Sequence, residues 1–172
     1  QGEINATKII LATDLTTAAQ LLDADQVSPL IRSTTWYHVA ADSPSDSAEL
    51  ILDADHRGPV VNSLVISNLS KKYAPAGQHL ISSTTITHAS ESEVRRQLAF
   101  MWGSSTENWR LIAKYEINSA LPLFAPGKTN AKSSKFNDVI YCAGDYLSAP
   151  SQNGALKSGR LAAQELMLDE GL

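Results

Sequence analysis

The sequence predicts an α/β chain (α+β overall) in which two β-α segments at the ends enclose an antiparallel sheet. Three observations carry that prediction. An apolar run over residues 8–14 leads into a helical pattern. A second apolar run over 138–143 ends in Gly-Asp and leads, through a loop, into a longer helical pattern. Between them several β-rich stretches follow one another without alternating helices, as in a meander rather than a βαβ series.

At the first end, Lys8-Ile9-Ile10-Leu11-Ala12-Thr13-Asp14 reads as a strand buried on both faces. Leu15, Ala18, Ala19 and Leu22 then fall at helical spacing, and either Asp14 or Thr16 is placed to cap that helix. In the middle, residues 31–41 are rich in β-formers around Trp36 and Tyr37, whose side chains alternation sends to opposite faces. Shorter strands are predicted at 49–53, 60–67, 79–86 and 109–117, with turns at Asp55–Pro59 and Ala74–Gly77. One helix interrupts them. Ser90 and Glu93 form a capping box, Val94, Leu98, Met101 and Trp102 make one apolar face with Arg95, Arg96 and Gln97 elsewhere, and Gly103 closes it.

Residues 128–135 are small and polar and read as an exposed loop. The run Asp138–Ala143 is predicted as a second strand buried on both faces, closed by Gly144-Asp145. A helix is predicted from near Asn153 to about Leu168, its inward face formed by Ala155, Leu156, Gly159, Ala162, Ala163, Leu166 and Met167. A strand, a loop and then the amino terminus of a helix make a physically favourable ligand site. The terminus offers unpaired N–H groups and partial positive charge. Gly154 removes a Cβ at the point of closest approach, and Asp145 at a strand's carboxyl end can accept hydrogen bonds from ligand hydroxyls. From the residues alone, an ordinary strand–loop–helix with a capping Asn and a turn Asp reads equally well.

Val139-Ile140-Tyr141-Cys142-Ala143-Gly144-Asp145, then Pro150-Ser151-Gln152-Asn153-Gly154-Ala155, then Ser158-Gly159-Arg160-Leu161-Ala162-Ala163 resembles the C-terminal FAD motif of the flavin-containing amine oxidase superfamily. That superfamily includes monoamine oxidases, protoporphyrinogen oxidases and phytoene-desaturase-like enzymes. The stretch Ala120–Gly127 is similar to the Ala-Leu-Pro…Pro-Gly segment that precedes the motif, and Ile9–Asp14 to the strand leading out of the FAD domain. The resemblance implies a partial FAD/NAD(P)-binding, Rossmann-like domain over residues 1–25 and 126–172, with an antiparallel substrate-binding domain inserted over 26–125. It implies a hydride passing from a small organic substrate to FAD. It also implies a cofactor site made by Gly144, Asp145, Ser151, Gln152, Asn153, Gly154 and Ala155, with Asp145 on the ribityl or pyrophosphate region and residues 153–155 at the flavin pyrimidine edge.

Two departures shape the expectation. Ser151 stands where monoamine oxidases carry an aromatic residue, so one wall of an amine cage is missing and the desaturase-like or protoporphyrinogen-oxidase-like branch is favoured. The Gly-x-Gly-x-x-Gly cradle for the pyrophosphate does not occur among the nine glycines. The chain is therefore expected to be the C-terminal part of a longer flavoprotein, partnered by the missing N-terminal part and inactive alone. The alternative is a non-enzymatic module that binds an apolar ligand or a protein through its central sheet.

Composition narrows the rest. With 43% hydrophobic and 19% charged residues, the chain is globular in character. A net charge of −4 gives no general attraction for nucleic acid. No apolar run approaches the roughly 20 residues of a membrane span, and the start has no secretory signal, so a cytoplasmic or organellar location is expected. The single cysteine, Cys142, excludes an intrachain disulfide and a cysteine-cluster metal site. His38, His56, His79 and His88 lack ligand-like spacing, so no metal is expected.

Overall fold

The computed structural model describes residues 2–24, 28–127 and 132–172. The predicted 25/26 boundary and residues 128–131 of the predicted loop lie outside these. In chain order the strands are β1 (Ile9–Leu11), β2 (Leu30–Ala40), β3 (Ile51–Leu52), β4 (Val60–Val65), β5 (His79–Thr85), β6 (Arg110–Pro122) and β7 (Ile140–Cys142). The helices are α1 (Leu15–Leu21), α2 (Ile66–Leu69), α3 (Glu91–Trp102) and α4 (Gln152–Asp169). The chain forms two compact units, Arg32–Asn118 on one hand and Gln1–Ile31 with Ser119–Leu172 on the other.

The middle unit is built on a five-stranded sheet of order β3-β4-β5-β2-β6, and the pairs β3–β4, β4–β5 and β5–β2 are antiparallel. Alternation along β2 buries Thr34, Trp36, His38 and Ala40 and leaves Tyr37 half-buried, as expected. Trp36, Ala40, Val60, Val65 and Ile81 from the strands close over Val94 and Leu98 from α3 and over Trp109. The capping box forms as predicted: Ser90 Oγ accepts from the Glu93 N–H, and the Glu93 carboxylate accepts from the Ser90 N–H at 2.8 Å. Gly103 ends α3 with a φ of 59°, in the left-handed region that suits glycine.

Two expectations are corrected here. Gln97 does not lie away from the core: it is buried, its Oε1 accepting from the Val60 N–H (2.6 Å) and its Nε2 donating to the Val60 carbonyl (2.8 Å) and to Asp53 (2.6 Å). The β4–β5 register slips between Val60 and Asn62, and this amide serves the backbone groups of Val60 beside the slip. The strand predicted over 60–67 stops at Val65, where the chain turns into the single helical turn α2.

The flanking unit holds a two-stranded parallel sheet in which β1 pairs with β7, Ile9 opposite Ile140 and Leu11 opposite Cys142. Asp14, not Thr16, caps α1: its carboxylate accepts from the Thr17 N–H (3.0 Å) and hydroxyl (2.6 Å), and those bonds hold it below the usual carboxylate range. Ala18, Cys142 and Tyr146 form a small core with Leu11, Leu15, Leu22 and Leu147. The expectation of strands buried on both faces fails for β1, where Ile9 and Ile10 are 41% and 42% exposed. Among the described residues β1 has a single strand neighbour, β7.

Candidate functional site

The residues of the predicted site lie between the end of β7 and the first turn of α4. Gly144 follows the strand with extended backbone, and residues Asp145–Leu147 make a single tight helical turn. A Cβ on Gly144 would meet the Tyr146 ring at 2.1 Å, so a side chain there would displace the ring that fills the small core. The Gly144 N–H donates to Ser158 Oγ (2.7 Å), and that hydroxyl donates on to the Ala155 carbonyl (3.0 Å). One serine thus ties the strand end to the first turns of α4.

The helix begins earlier than predicted, at Gln152, and its cap is Ser151 rather than Asn153. Ser151 Oγ accepts from the Gly154 N–H at 3.0 Å. Gly154 is needed, but for a different partner from the one expected. A Cβ there would lie 1.9 Å from the Ala149 carbonyl oxygen, so it is the chain's own backbone that approaches. Among the described residues the N–H groups of Gln152 and Asn153 keep no partner, which leaves two donors and the positive end of the helix dipole free.

Asn153 and Gly154 of this first turn border an open cleft of about 430 Å³, lined also by Leu147, Ser148, Ala149, Ser151, Lys157 and Leu161. The structure therefore brings Ser151, Asn153 and Gly154 to one surface. Gln152 and Ala155 are solvent-exposed and do not line it. Asp145 is half-buried and its carboxylate has no hydrogen-bond partner among the described residues, so its acceptors are free. Lys157 adds a cation that the sequence reading did not single out. Tyr146 is buried, and desolvation pushes its phenol up to about 12.

The inward face of α4 also differs from expectation. Gly154, Ser158 and Ala162 are the buried residues, while Ala155 and Ala163 are exposed, as are Leu156 at 74% and Met167 at 48%. Spacing of four from Gly154 gives this stripe directly. Glu165 extends it, accepting from the Ser133 hydroxyl (2.6 Å) and the Ser134 N–H (2.8 Å). Asp169 ends it, accepting from the Tyr141 hydroxyl (2.6 Å) and from Lys135 (2.9 Å). The hydrogen bond to Asp169 pushes the Tyr141 phenol up to about 12. The helix is held by small and polar side chains because its backbone must pass close to residues 144–149.

Cys142 is free and buried, and burial pushes its thiol up, as suits an inert core residue. No cluster of three or more His, Cys, Asp or Glu able to hold a metal occurs among the described residues. None of the described helices is long and apolar enough to cross a membrane.

The chain, with its parallel strand pair running into a loop and a helix amino terminus and its separate antiparallel sheet, is similar in fold to three solved structures. The crystal structure of an oxidoreductase from Methanosarcina mazei matches with a TM-score of 0.59 and 11% identity, over 96% of this chain and 43% of that one. Reduced UDP-galactopyranose mutase matches with a TM-score of 0.66 and 13% identity, over 96% of this chain and 43% of that one. A Pyrococcus furiosus protein matches with a TM-score of 0.59 and 12% identity, over 99% and 42%. At these identities the likeness is one of fold, and the chain spans less than half the length of each. No protein-family profile and no curated protein sequence matches it. The expected α/β fold, of a kind found in an oxidoreductase, is what the chain adopts.

Proposed function

We propose that the chain is the C-terminal portion of a FAD-dependent oxidoreductase of the amine oxidase and desaturase type. In this reading, residues 1–25 and 126–172 belong to the FAD-binding domain and 26–125 to the domain that receives a small organic substrate. The observation that carries the reading is the first turn of α4, which opens on a cleft among the described residues.

The residues present fit the group. The free N–H group of Asn153, the helix dipole and Lys157 suit an electron-rich ring edge, where they would stabilise developing negative charge. The unpartnered carboxylate of Asp145 suits hydroxyls of the ribityl chain. Ser158, by tying Gly144 to α4, fixes the distance between those two contacts. FAD supplies the hydride-accepting chemistry when bound. The protein's part is to orient the substrate and exclude water. The exposed Ile9 and Ile10 on β1 suit a parallel sheet continued by a further strand, which the missing N-terminal part would supply.

Asp145→Ala in the full-length protein is expected to weaken FAD binding by roughly 10- to 100-fold, the worth of a hydrogen bond to a charged group. Equilibrium titration with FAD measures this. Unchanged affinity would remove Asp145 from the cofactor site.

A further inference from the structure

His38 lies in β2, between β5 and β6, and it is wholly buried. Neither ring nitrogen has a hydrogen-bond partner among the described residues. Its strand neighbour on β5 is Ile81, and its ring packs at 49° to that of Trp109 with centroids 6.1 Å apart, so neither of these contacts brings a charge. Of the charged groups on this side of the sheet, Glu91 and Arg95 come from α3, and Lys114 of β6 sits over Trp36, two residues along the same face of β2. Glu91 Oε1 stands 3.8 Å from Nε2, beyond hydrogen-bond reach. Arg95 stands 3.5 Å from that same oxygen and also donates to the carbonyls of Thr106 and Glu107. The one nearby carboxylate is thus already shared with a cation that pins the 103–109 loop.

We propose that His38 is an acid-triggered release for α3: a proton on its sequestered imidazole unseats the helix from the sheet. Burial is the main cause holding this imidazole below the ordinary histidine range; Glu91 opposes it and Arg95 adds to it. An opened chain regains the ordinary value of 6.5. Between the two values the open form binds a proton that the closed form does not. Opening is therefore independent of pH above about 6.5 and grows as pH falls, by up to about tenfold per pH unit for one proton. Glu93, the other carboxylate of the first turn, is held below the usual range by its bonds to Ser90, so it does not titrate in this window.

Amide hydrogen exchange across pH 7.5 to 5, corrected for intrinsic rates, tests the device, with the His38 ring titration followed by NMR in the same samples. The opening constant of α3 amides is expected to rise up to about tenfold per unit below about pH 6.5, while α4 amides do not follow. His38→Leu should flatten the α3 response. Glu91→Gln keeps the imidazole, removes the group that raises its pKa, and should extend the rise to lower pH. An α3 response that persists in His38→Leu overturns the proposal. Should that variant not fold, an unshifted window in Glu91→Gln does so instead.

Discussion

Gly154→Ala is expected to destabilise the flanking unit by about 3 kcal/mol, near the upper end of overpacking costs. Two effects compete. In an open helix, alanine gains about 1 kcal/mol over glycine. Here the new Cβ would lie 1.9 Å from the Ala149 carbonyl oxygen, 2.7 Å from its carbon and 2.8 Å from its nitrogen. All three are backbone atoms, and Ala149 is itself held by the bond from the Ser151 N–H to its carbonyl (2.7 Å). No rotamer can relieve the clash, so the steric cost wins and the first turn of α4 is pushed out of place. Gly159, five residues on, has nothing within 4 Å of its Cβ position. Gly159→Ala should therefore stabilise by about 1 kcal/mol. Urea unfolding of the two variants gives opposite signs if the packing is as described. A stabilised Gly154→Ala would show that the helix does not meet the loop.

The largest loss in the middle unit is expected from Trp36→Ala, about 4 kcal/mol by the usual range for such truncations. The indole is 2% exposed at the centre of the core. Its Nε1 donates to Thr85 Oγ1 at 3.2 Å, and the Lys114 ammonium sits 4.6 Å from the ring centroid. The truncation leaves a cavity, unpairs a buried hydroxyl and removes a cation–π contact. Trp36→Phe keeps most of the volume and should lose less. Denaturant unfolding followed at Trp109 reads the change, and a loss below about 1 kcal/mol would mean that the ring does not organise this core.

What the sequence made legible follows from which forces act locally. The capping box, Val94 and Leu98 were readable because a cap and an apolar stripe need only residues within a few turns. The burial of Gln97 was not, because it answers an irregular register on β4, a strand 37 residues away in sequence. For α4 the apolar pattern placed Ala162 correctly but also turned Ala155, Leu156, Ala163 and Met167 inward, and these are exposed. Close approach to residues 144–149 selects small and hydrogen-bonding side chains, so Gly154, Ser158 and Ala162 turn inward and Leu156 and Leu168 turn out. Of the residues named on the motif resemblance, Ser151, Asn153 and Gly154 share one cleft. The resemblance did not single out Ser158 or Lys157, whose parts emerge only when the strand end and helix are folded together.

The measurement that bears most directly on the cofactor assignment is the visible absorbance of the purified full-length protein beside that of residues 1–172 alone. Stoichiometric flavin is expected in the full-length protein, and the isolated chain, which lacks the Gly-x-Gly-x-x-Gly cradle, is expected to purify colourless. A full-length protein that takes up no flavin, or an isolated chain that retains it in full, would contradict the account.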